Sequence, residues 1–354
     1  MKRICFFGIF DEDYSRTKVL ARGFEQCGWE VVFCRVDPRT HYGWFKYVML
    51  YRKGRRLSPQ QFDYVLVCFP GRALVVLVAR LLFGRRILFD AFVSMYDSNV
   101  FDRALYPAHS VRALRDWLLD WSACHLAWQV LLDTNEHIKY FVSTFGVARA
   151  KCIRVWVGAD EKVFYPQDTP ELTVFTVHFH GTYIPLQGVQ YIIEAAQFLT
   201  EEPIHFRIVG NGQESKKIRD KASELGLTNI EFVDSVPLAQ LPQYIASASV
   251  CLGIFGDTQK TARVVPNKVF ECVAMGKPVI TADTAATREL FGNSNPPVML
   301  VPRADSAALA EALRALARDP ARRRQLGRDA SAFFKAHLGA KTIVAELLEE
   351  LPHI

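Results

Sequence analysis

The sequence alternates short apolar runs, typical of buried strands, with longer amphipathic segments, typical of helices. The first such unit has a strand at Arg3–Ile9, a helix at residues 17–28 and a strand at Glu30–Val36. This spacing predicts a parallel α/β unit, because the helix returns the chain to the same end of the sheet. Ligands of such sheets bind at the carboxyl ends of the strands, so the loop after Gly8 is expected to face a cleft. Further strands are predicted at residues 63–69, 85–91, 129–133, 151–157, 173–180, 205–209, 229–233, 250–254 and from 278, and further helices at Ala73–Phe83, 110–127, Asn135–Phe145, 189–199, 237–246, 266–276, 306–316, 320–334 and 341–351.

Length and composition indicate a globular protein of two domains. With 354 residues the chain can build two separate cores, and 50% of its residues are hydrophobic. The eight cysteines include no C-x-x-C pair, which favours buried thiols in a reducing cytoplasm over a disulfide or zinc framework. Acids at residues 11–13 interrupt the first apolar run, so a strand is favoured there over a signal peptide. No apolar run reaches the ~20 residues of a membrane-spanning helix.

Positive charge is concentrated in one part of the chain. Residues 38–89 contain ten lysines or arginines and one acid, Asp63, which gives that stretch a net charge of +9. Within it, residues 41–57 interleave aromatic and basic side chains. Such a segment suits an anionic membrane interface, and the alternative is a surface helix whose apolar face is core. Stacking on single-stranded nucleic acid is disfavoured, because no nucleic-acid motif accompanies the segment.

One acid stands in an otherwise apolar helix within residues 264–290. Pro266 suits the first turn of that helix and Gly276 ends it, before a short buried strand. Between them, Glu271 would be costly to bury unless it accepts hydrogen bonds. The two hydroxyls of a nucleotide ribose could donate them, and the alternative is a solvated or capping acid.

The run PNKVFECVAMGKPVI, followed by Arg288-Glu289-Leu290, resembles the donor-site signature of retaining glycosyltransferases of family 4, the glycosyl transferases group 1. The resemblance implies the GT-B fold: α/β, with two Rossmann-like domains whose parallel sheets face each other across a cleft. It implies that Glu271 binds the donor ribose and that the glycine turn lies near the sugar diphosphate. The family usually has a second acid eight residues earlier, where this chain has Arg263.

The positions that hold the donor diphosphate in this family also differ here. An arginine usually follows the first glycine of the loop after the 173–180 strand, and a lysine precedes the second. In this chain those places are Thr182 and Gln187. We expect positive charge to come instead from Arg263 and Lys268, together with backbone amides and the start of the signature helix. The donor-binding residues implied are Gly8, Gly181, Thr182, Gln187, Gly210, Gly212, Val236, Gly256 and Asn267, with Val236 beside the base.

Polar residues after the predicted 85–91 strand indicate a site for sugar hydroxyls. In the resembling family a histidine that touches the donor sugar often stands where Asp90 stands here, so Asp90 is counted with Arg263, Lys268 and Glu271 as a catalytic candidate. Tyr96 and Asp97 in the following loop, and Asp11 after the first strand, are acceptor-side candidates. The alternative for the loop is ordinary turn capping. The acids at 11–13 do not share one face, so no metal site is expected.

Together these features predict an acceptor-binding domain at residues 1–166, a donor-binding domain at 173–335 and a helix at 336–354 that packs on the first domain. The resemblance implies a metal-independent, hexosyltransferase-like enzyme without cofactor. It would move a sugar with retention from a nucleotide-sugar to a glycan or lipid-linked acceptor, in polysaccharide or glycolipid biosynthesis. We expect it in the cytoplasm, at the inner face of the membrane, with no nucleic-acid partner. A sugar-nucleotide epimerase and a non-catalytic GT-B subunit are the alternatives.

Overall fold

A computed structural model of the chain describes residues 1–40, 43–84, 86–169 and 172–352. The start of the predicted basic segment (residues 41 and 42), the first residue of the predicted 85–91 strand, two residues of the predicted linker (170 and 171) and residues 353 and 354 lie outside these ranges. The chain forms two compact units. The first consists of Met1–Gly158 and Gly339–Ile354, and the second of Ala159–Leu338.

The first unit is built on a parallel sheet. Among the described residues its strands run in the order β2-β1-β3-β4-β5-β6, and every pair of neighbours is parallel, as the sequence predicts. The strands are β1 (Arg3–Ile9), β2 (Glu30–Val36), β3 (Tyr64–Val67), β4 (Ile87–Asp90), β5 (Gln129–Leu132) and β6 (Cys152–Arg154), and the helices are α1 (Ser15–Gln26), α2 (Phe45–Gly54), α3 (Ala73–Phe83), α4 (Val111–Leu126) and α5 (Asn135–Phe145).

Helices α2 to α5 share one hydrophobic core. Leu50 of α2, Val76 of α3, Ala123 of α4 and Phe141 of α5 are all buried in it, together with strand residues such as Val65. Because each of these helices turns an apolar face to the same core, its opposite face is directed outward. α3 packs against both α2 and α4. The three helices are therefore neighbours on one side of the sheet.

The second unit contains another parallel sheet. Among the described residues its strand order is β12-β11-β10-β7-β8-β9, which places β7 and β10 in the middle. From β7 the chain adds β8 and β9 on one side and then β10, β11 and β12 on the other, so the switch point, where open α/β sheets bind ligands, lies between β7 and β10. The strands are β7 (Phe175–His180), β8 (Ile204–Val209), β9 (Ile230–Val233), β10 (Val250–Leu252), β11 (Val279–Asp283) and β12 (Met299–Pro302), and the helices are α6 (Val189–Gln197), α7 (Ser215–Glu224), α8 (Leu241–Ala246), α9 (Asn267–Ala274), α10 (Ala285–Phe291), α11 (Ser306–Arg318) and α12 (Pro320–His337).

The stretch after β11 is a helix, where the sequence predicts a loop. Thr284 caps α10 by accepting a hydrogen bond from the amide of Thr287, and the Thr287 side chain in turn accepts from the amide of Thr284. This reciprocal capping box stabilises a helix whose first residues carry little apolar character.

Helix α13 (Ala340–Glu350) belongs to the first unit, although the whole second unit precedes it in the sequence. It buries Ile343, Val344 and Leu347 and packs against α1. Gly23 of α1 allows the close approach, since a Cβ atom there would collide with the carbonyl oxygen of Ala340.

Over the described ranges, none of the helices combines the length and the apolar character that crossing a bilayer requires.

Candidate functional site

Two glycine loops form the floor of a site at the carboxyl edge of the second sheet. Gly181 follows β7 with φ +151°, and Gly210 follows β8 with φ +132°. Their backbones are so close that a Cβ atom on Gly210 would collide with the carbonyl oxygen of Gly181. Residues with a side chain rarely adopt such φ values. Both the backbone conformation and the lack of space for a Cβ atom therefore favour glycine here. The bare backbone leaves room for a ligand to approach the ends of β7 and β8.

Helix α9 borders these loops and carries the two charged candidates. Pro266 precedes it in an extended conformation (ψ 158°), and the chain becomes helical at Asn267. The helix is almost entirely buried through an apolar stripe that includes Val269 and Phe270. Lys268 and Glu271 are three residues apart and therefore lie on neighbouring positions of one helix face. Both are nonetheless buried.

Lys268 occupies the space beside the first glycine loop. Its Nζ donates a hydrogen bond to Oε1 of Gln187 and lies 3.5 Å from the centre of the Phe179 ring. A Cβ atom on Gly181 would be only 2.7 Å from this Nζ. Burial lowers the pKa of Lys268 well below its ordinary value, and the carboxylate of Glu271 opposes that shift. An anion that binds beside this amine would therefore strongly stabilise its protonated, charged form.

Glu271 ends a chain of buried hydrogen bonds that the sequence did not predict. Nε2 of His180 is 2.9 Å from Oε2 of Glu271, and Nδ1 of His180 is 3.0 Å from Nε2 of His178. When Glu271 is ionised, His180 donates to it from Nε2 and accepts from His178 at Nδ1. Both histidines are buried, and Nδ1 of His178 has no hydrogen-bond partner among the described residues.

The pKa values in this chain follow from burial. Burial raises the pKa of Glu271 to about 7, against the opposing effect of Lys268. Burial and the charge of Lys268 lower the pKa of His180 to about 3, and burial lowers the pKa of His178 well below its usual range. The histidines are therefore neutral, so each carries a single ring N–H whose place the hydrogen bonds fix. Shifts of this kind in a cluster beside a glycine loop are typical of functional sites.

The other predicted donor residues are distributed around this centre. Gly256 is buried, and a Cβ atom there would collide with the backbone of residues 185 and 186. The backbone of Gly212 approaches that of Tyr183, beside the exposed Thr182. Partly exposed positions are held by Val236, Arg263 and Asn267. The structure thus brings Gly181, Gln187, Gly210, Lys268 and Glu271 together.

In the first unit, Asp90 has a partner that the sequence did not reveal. Nε of Arg16 donates to both carboxylate oxygens of Asp90, at 2.9 and 3.1 Å, and both side chains are buried. Arg16 also donates to the carbonyl oxygens of Val155 and Trp156, at 3.1 and 3.3 Å. The ion pair therefore joins α1, β4 and the end of β6.

The acceptor-side candidates have separate surroundings. Asp11 forms an ion pair with Arg39. Tyr96 packs edge-on against Phe101, with ring centres 5.3 Å apart. Asp97 is buried, and its amide donates to Oγ of Ser94. Gly8, at the carboxyl end of β1, has φ +152°.

Comparison with known proteins finds its family match in the second unit. Residues 174–319 match the model of the family described as Glycosyl transferases group 1. A putative colanic acid biosynthesis glycosyl transferase, WcaI of Escherichia coli K12, is 32% identical over 98 residues, which are 27% of this chain and 24% of that protein. A D-inositol 3-phosphate glycosyltransferase of Kribbella flavida is 28% identical over 228 residues, 57% of this chain and 51% of that protein. The chain thus spans about half or less of the length of these two relatives.

Solved structures share the fold of the whole chain. HepE of Anabaena, solved in complex with UDP and glucose, superposes with a TM-score of 0.70 at 16% identity, over 99% of this chain and 100% of that one. Sucrose-phosphate synthase of Thermosynechococcus elongatus superposes with a TM-score of 0.71 at 16% identity, over 99% of this chain and 98% of that one. The predicted α/β fold class with two parallel sheets, of GT-B type, is confirmed. Residues 174–319 thus match the glycosyl transferases group 1 model, within a chain that has the GT-B fold.

Proposed function

We propose that this protein transfers a sugar from a nucleotide-sugar donor to a glycan or lipid-linked acceptor. The observation that carries the proposal is the position of Lys268. Its ammonium group is hydrogen-bonded to Gln187, the residue at the place where the resembling family has a diphosphate-binding lysine. Lys268 of α9 thus occupies the place of the lysine that this chain lacks at Gln187. It also lies beside the Gly181 backbone.

Such a cation suits the chemistry of transfer. A departing nucleoside diphosphate carries at least two negative charges, which cations and amide donors stabilise in the transition state. Lys268 would supply one charge and Arg263, in the preceding loop, a second. The amides of Gly181 and Gly256 and the start of α9 at Asn267 would add donors. We propose that no metal takes part.

Glu271 would bind the ribose of the donor. Its Oε2 accepts from His180, which leaves Oε1 for the sugar hydroxyls. A vicinal diol can donate twice to one carboxylate, and the buried position makes each of these bonds stronger than it would be in water. HepE is known in complex with UDP-glucose, which makes UDP-sugars the first donors to test.

The finer points of the reaction extend this proposal. We propose transfer of a hexose with retention, as in glycosyltransferases of family 4, and a role in cell-surface polysaccharide or glycolipid biosynthesis. Asp90 and the acceptor-side residues Asp11, Tyr96 and Asp97 would act from the first unit. The basic and aromatic helix α2 would hold the protein at the inner, cytoplasmic face of an anionic membrane.

Donor binding and turnover test the proposal directly. A panel of nucleotide-sugars is added to the purified chain, and the thermal transition is followed. A true donor at a hundredfold excess over its dissociation constant adds about 2.7 kcal/mol to the free energy of unfolding. Replacing Glu271→Gln should weaken donor binding by about 1.5–3 kcal/mol while the chain remains folded. Unchanged affinity in the folded variant would remove Glu271 from the site.

The two cations are tested by turnover. Lys268→Ala and Arg263→Ala should each slow transfer at saturating acceptor. Lys277→Ala is a matched control, because Lys277 follows α9 in the same unit but donates to the carbonyl oxygen of Ala246 at 3.0 Å. Normal turnover in both variants would show that Lys268 and Arg263 do not replace the diphosphate-binding cations that are missing at Thr182 and Gln187.

The same experiments separate the alternatives. A non-catalytic subunit would bind a nucleotide-sugar without consuming it, and the neutral Thr182 and Gln187 favour that outcome. An epimerase would convert the sugar of the donor without any acceptor. Transfer that requires an acceptor supports the proposed function against both.

A further inference from the structure

Two neighbouring helices of the first unit, α3 and α4, expose apolar side chains in regular stripes. On α4, Val111, Leu114, Leu118 and Trp121 are all exposed, Val111 by 84% and Leu114 by 56%. Their spacing of three or four residues places them on one face of the helix. This face lies opposite the buried Ala113, Asp116, Ala123 and Cys124. An outward apolar stripe of three turns is not needed to build the core of this unit.

The adjacent helix α3 repeats the pattern. Leu74, Leu77 and Leu81 are exposed, Leu81 by 71%, and they are also three and four residues apart. α2, on the other side of α3, exposes Phe45 and Tyr51. We refer to the outward residues of these three helices as the apolar face. Exposed apolar stripes on adjacent helices are typical of an interaction site.

The charges around the apolar face have one sign. α2 and α3 contain no aspartate or glutamate, and they carry Lys46, Arg52, Lys53 and Arg80. α4 adds the exposed Arg112, while its Arg115 is paired with Asp116 at 2.7 Å.

The two acids of α4 are bound within the protein. Asp116 is buried and accepts from Asn99 and Arg115, and Asp120 accepts from Oγ of Ser94 at 2.7 Å. Helices with an outward apolar stripe and flanking cations suit the headgroup region of an anionic bilayer.

We propose that the apolar face, with α3 and α4 as its main parts, seats the first unit on an anionic lipid surface. It extends the membrane contact proposed above for α2, and it does not depend on transferase activity. The leucines would enter the boundary between headgroups and acyl chains, while Lys46, Arg52 and Arg112 would contact the lipid phosphates. The strength of attachment then depends on both apolar area and negative lipid charge.

Vesicle co-sedimentation with matched variants tests this surface. The test variant carries Leu77→Gln, Leu81→Gln, Leu114→Gln and Leu118→Gln. The control carries Leu172→Gln, Val174→Gln, Phe198→Gln and Leu238→Gln, four exposed apolar positions of the second unit. On vesicles of phosphatidylcholine and phosphatidylglycerol in low salt, the test variant should partition at least about tenfold more weakly than the wild type. The control should partition as the wild type does.

The outcomes separate this inference from others. Equal partitioning of the test variant and the wild type, or no binding of the wild type to any vesicle, overturns it. Equal binding to pure phosphatidylcholine removes the role of anionic lipid and also overturns it.

If light scattering shows a wild-type dimer that the test variant abolishes, with no change in lipid binding, the face is a self-association surface instead. Should the fourfold variant not fold, Leu114→Glu with Leu118→Glu provides the same comparison. Neutralising Arg52, Lys53, Arg55 and Arg56 tests α2 separately, and nucleotide-sugar affinity tests the proposed function separately.

Discussion

The buried ion pair between Arg16 and Asp90 allows a sharp test of what Asp90 does. In the Asp90→Asn variant the guanidinium of Arg16, which has no exposed surface, loses its counter-charge. Leaving one charge of a buried pair without its partner typically costs 3–5 kcal/mol. The asparagine retains an oxygen acceptor, and Arg16 keeps its bonds to Val155 and Trp156. We therefore expect a loss of about 3 kcal/mol in the free energy of unfolding.

Tryptophan fluorescence in urea reports on the unfolding of the first unit, which contains the ion pair. All six tryptophans of the chain lie in the first unit, at positions 29, 44, 117, 121, 128 and 156. The matched control is Glu30→Gln, because Arg3 and Glu30 form an ion pair at 2.7 Å that is exposed by 30% and 38%. An exposed pair contributes about 1 kcal/mol or less. The control should therefore unfold close to the wild-type urea concentration.

A further variant separates charge from contact. Replacing Arg16→Met together with Asp90→Leu removes both charges and should recover most of the lost stability, because no buried charge is left unpaired. If Asp90→Asn unfolds at the wild-type urea concentration yet loses transfer activity, the reasoning is refuted. Asp90 would then have the substrate role proposed above without stabilising the first unit through Arg16.

Three further predictions concern the second unit. His180→Ala should weaken nucleotide-sugar binding about tenfold, because Glu271 loses the N–H that positions it, and His180→Gln should restore part of the affinity. Donor affinity should rise about tenfold from pH 6 to pH 8, because Glu271, with a pKa of about 7, accepts from the ribose hydroxyls only when ionised. Gly210→Ala should lower the free energy of unfolding by at least about 2 kcal/mol. The alanine would have to adopt the positive φ of Gly210, and its Cβ atom would collide with the carbonyl oxygen of Gly181.

Each of these has its own control. Isothermal titration of Glu271→Gln should give an affinity that is flat with pH, and a slope that persists would assign the titration to another group. Equal affinity of His180→Ala and wild type would show that Glu271 needs no positioning. Gly226→Ala also has positive φ (+63°) but meets nothing within 4 Å, so circular dichroism melts of the two glycine variants separate the collision from backbone strain.

The bounds of β1, β2, α3 and α5 were predicted to the residue. For α3 the reason is clear, since its apolar run is bounded by Arg72 and Gly84. α10 was missed because its signal is a pair of threonines rather than an apolar stripe. A sequence reveals capping by Thr284 and Thr287 only if one looks for two such residues three positions apart.

The candidate site was predictable in its local parts only. Glu271 stood out as an acid in an apolar helix, and the glycine loops followed from the strand ends. His180 did not, because it is 91 residues from Glu271 and its role depends on the pairing of β7 with β10. The same holds for Arg16, which is 74 residues from Asp90. Hydrogen bonds between distant segments leave no periodicity in the sequence.

The place of α13 has a consequence for how the protein is made. A ribosome completes every residue of the second unit before it synthesises the helix that covers α1 in the first. Until then the surface of α1 beside Gly23 is not covered by Ile343, Val344 and Leu347, so the first unit is a nascent intermediate with exposed apolar side chains on α1. A stalled or truncated chain ending before residue 339 would therefore present a complete second unit joined to an incomplete first unit, which is the kind of form that chaperones and proteases recognise.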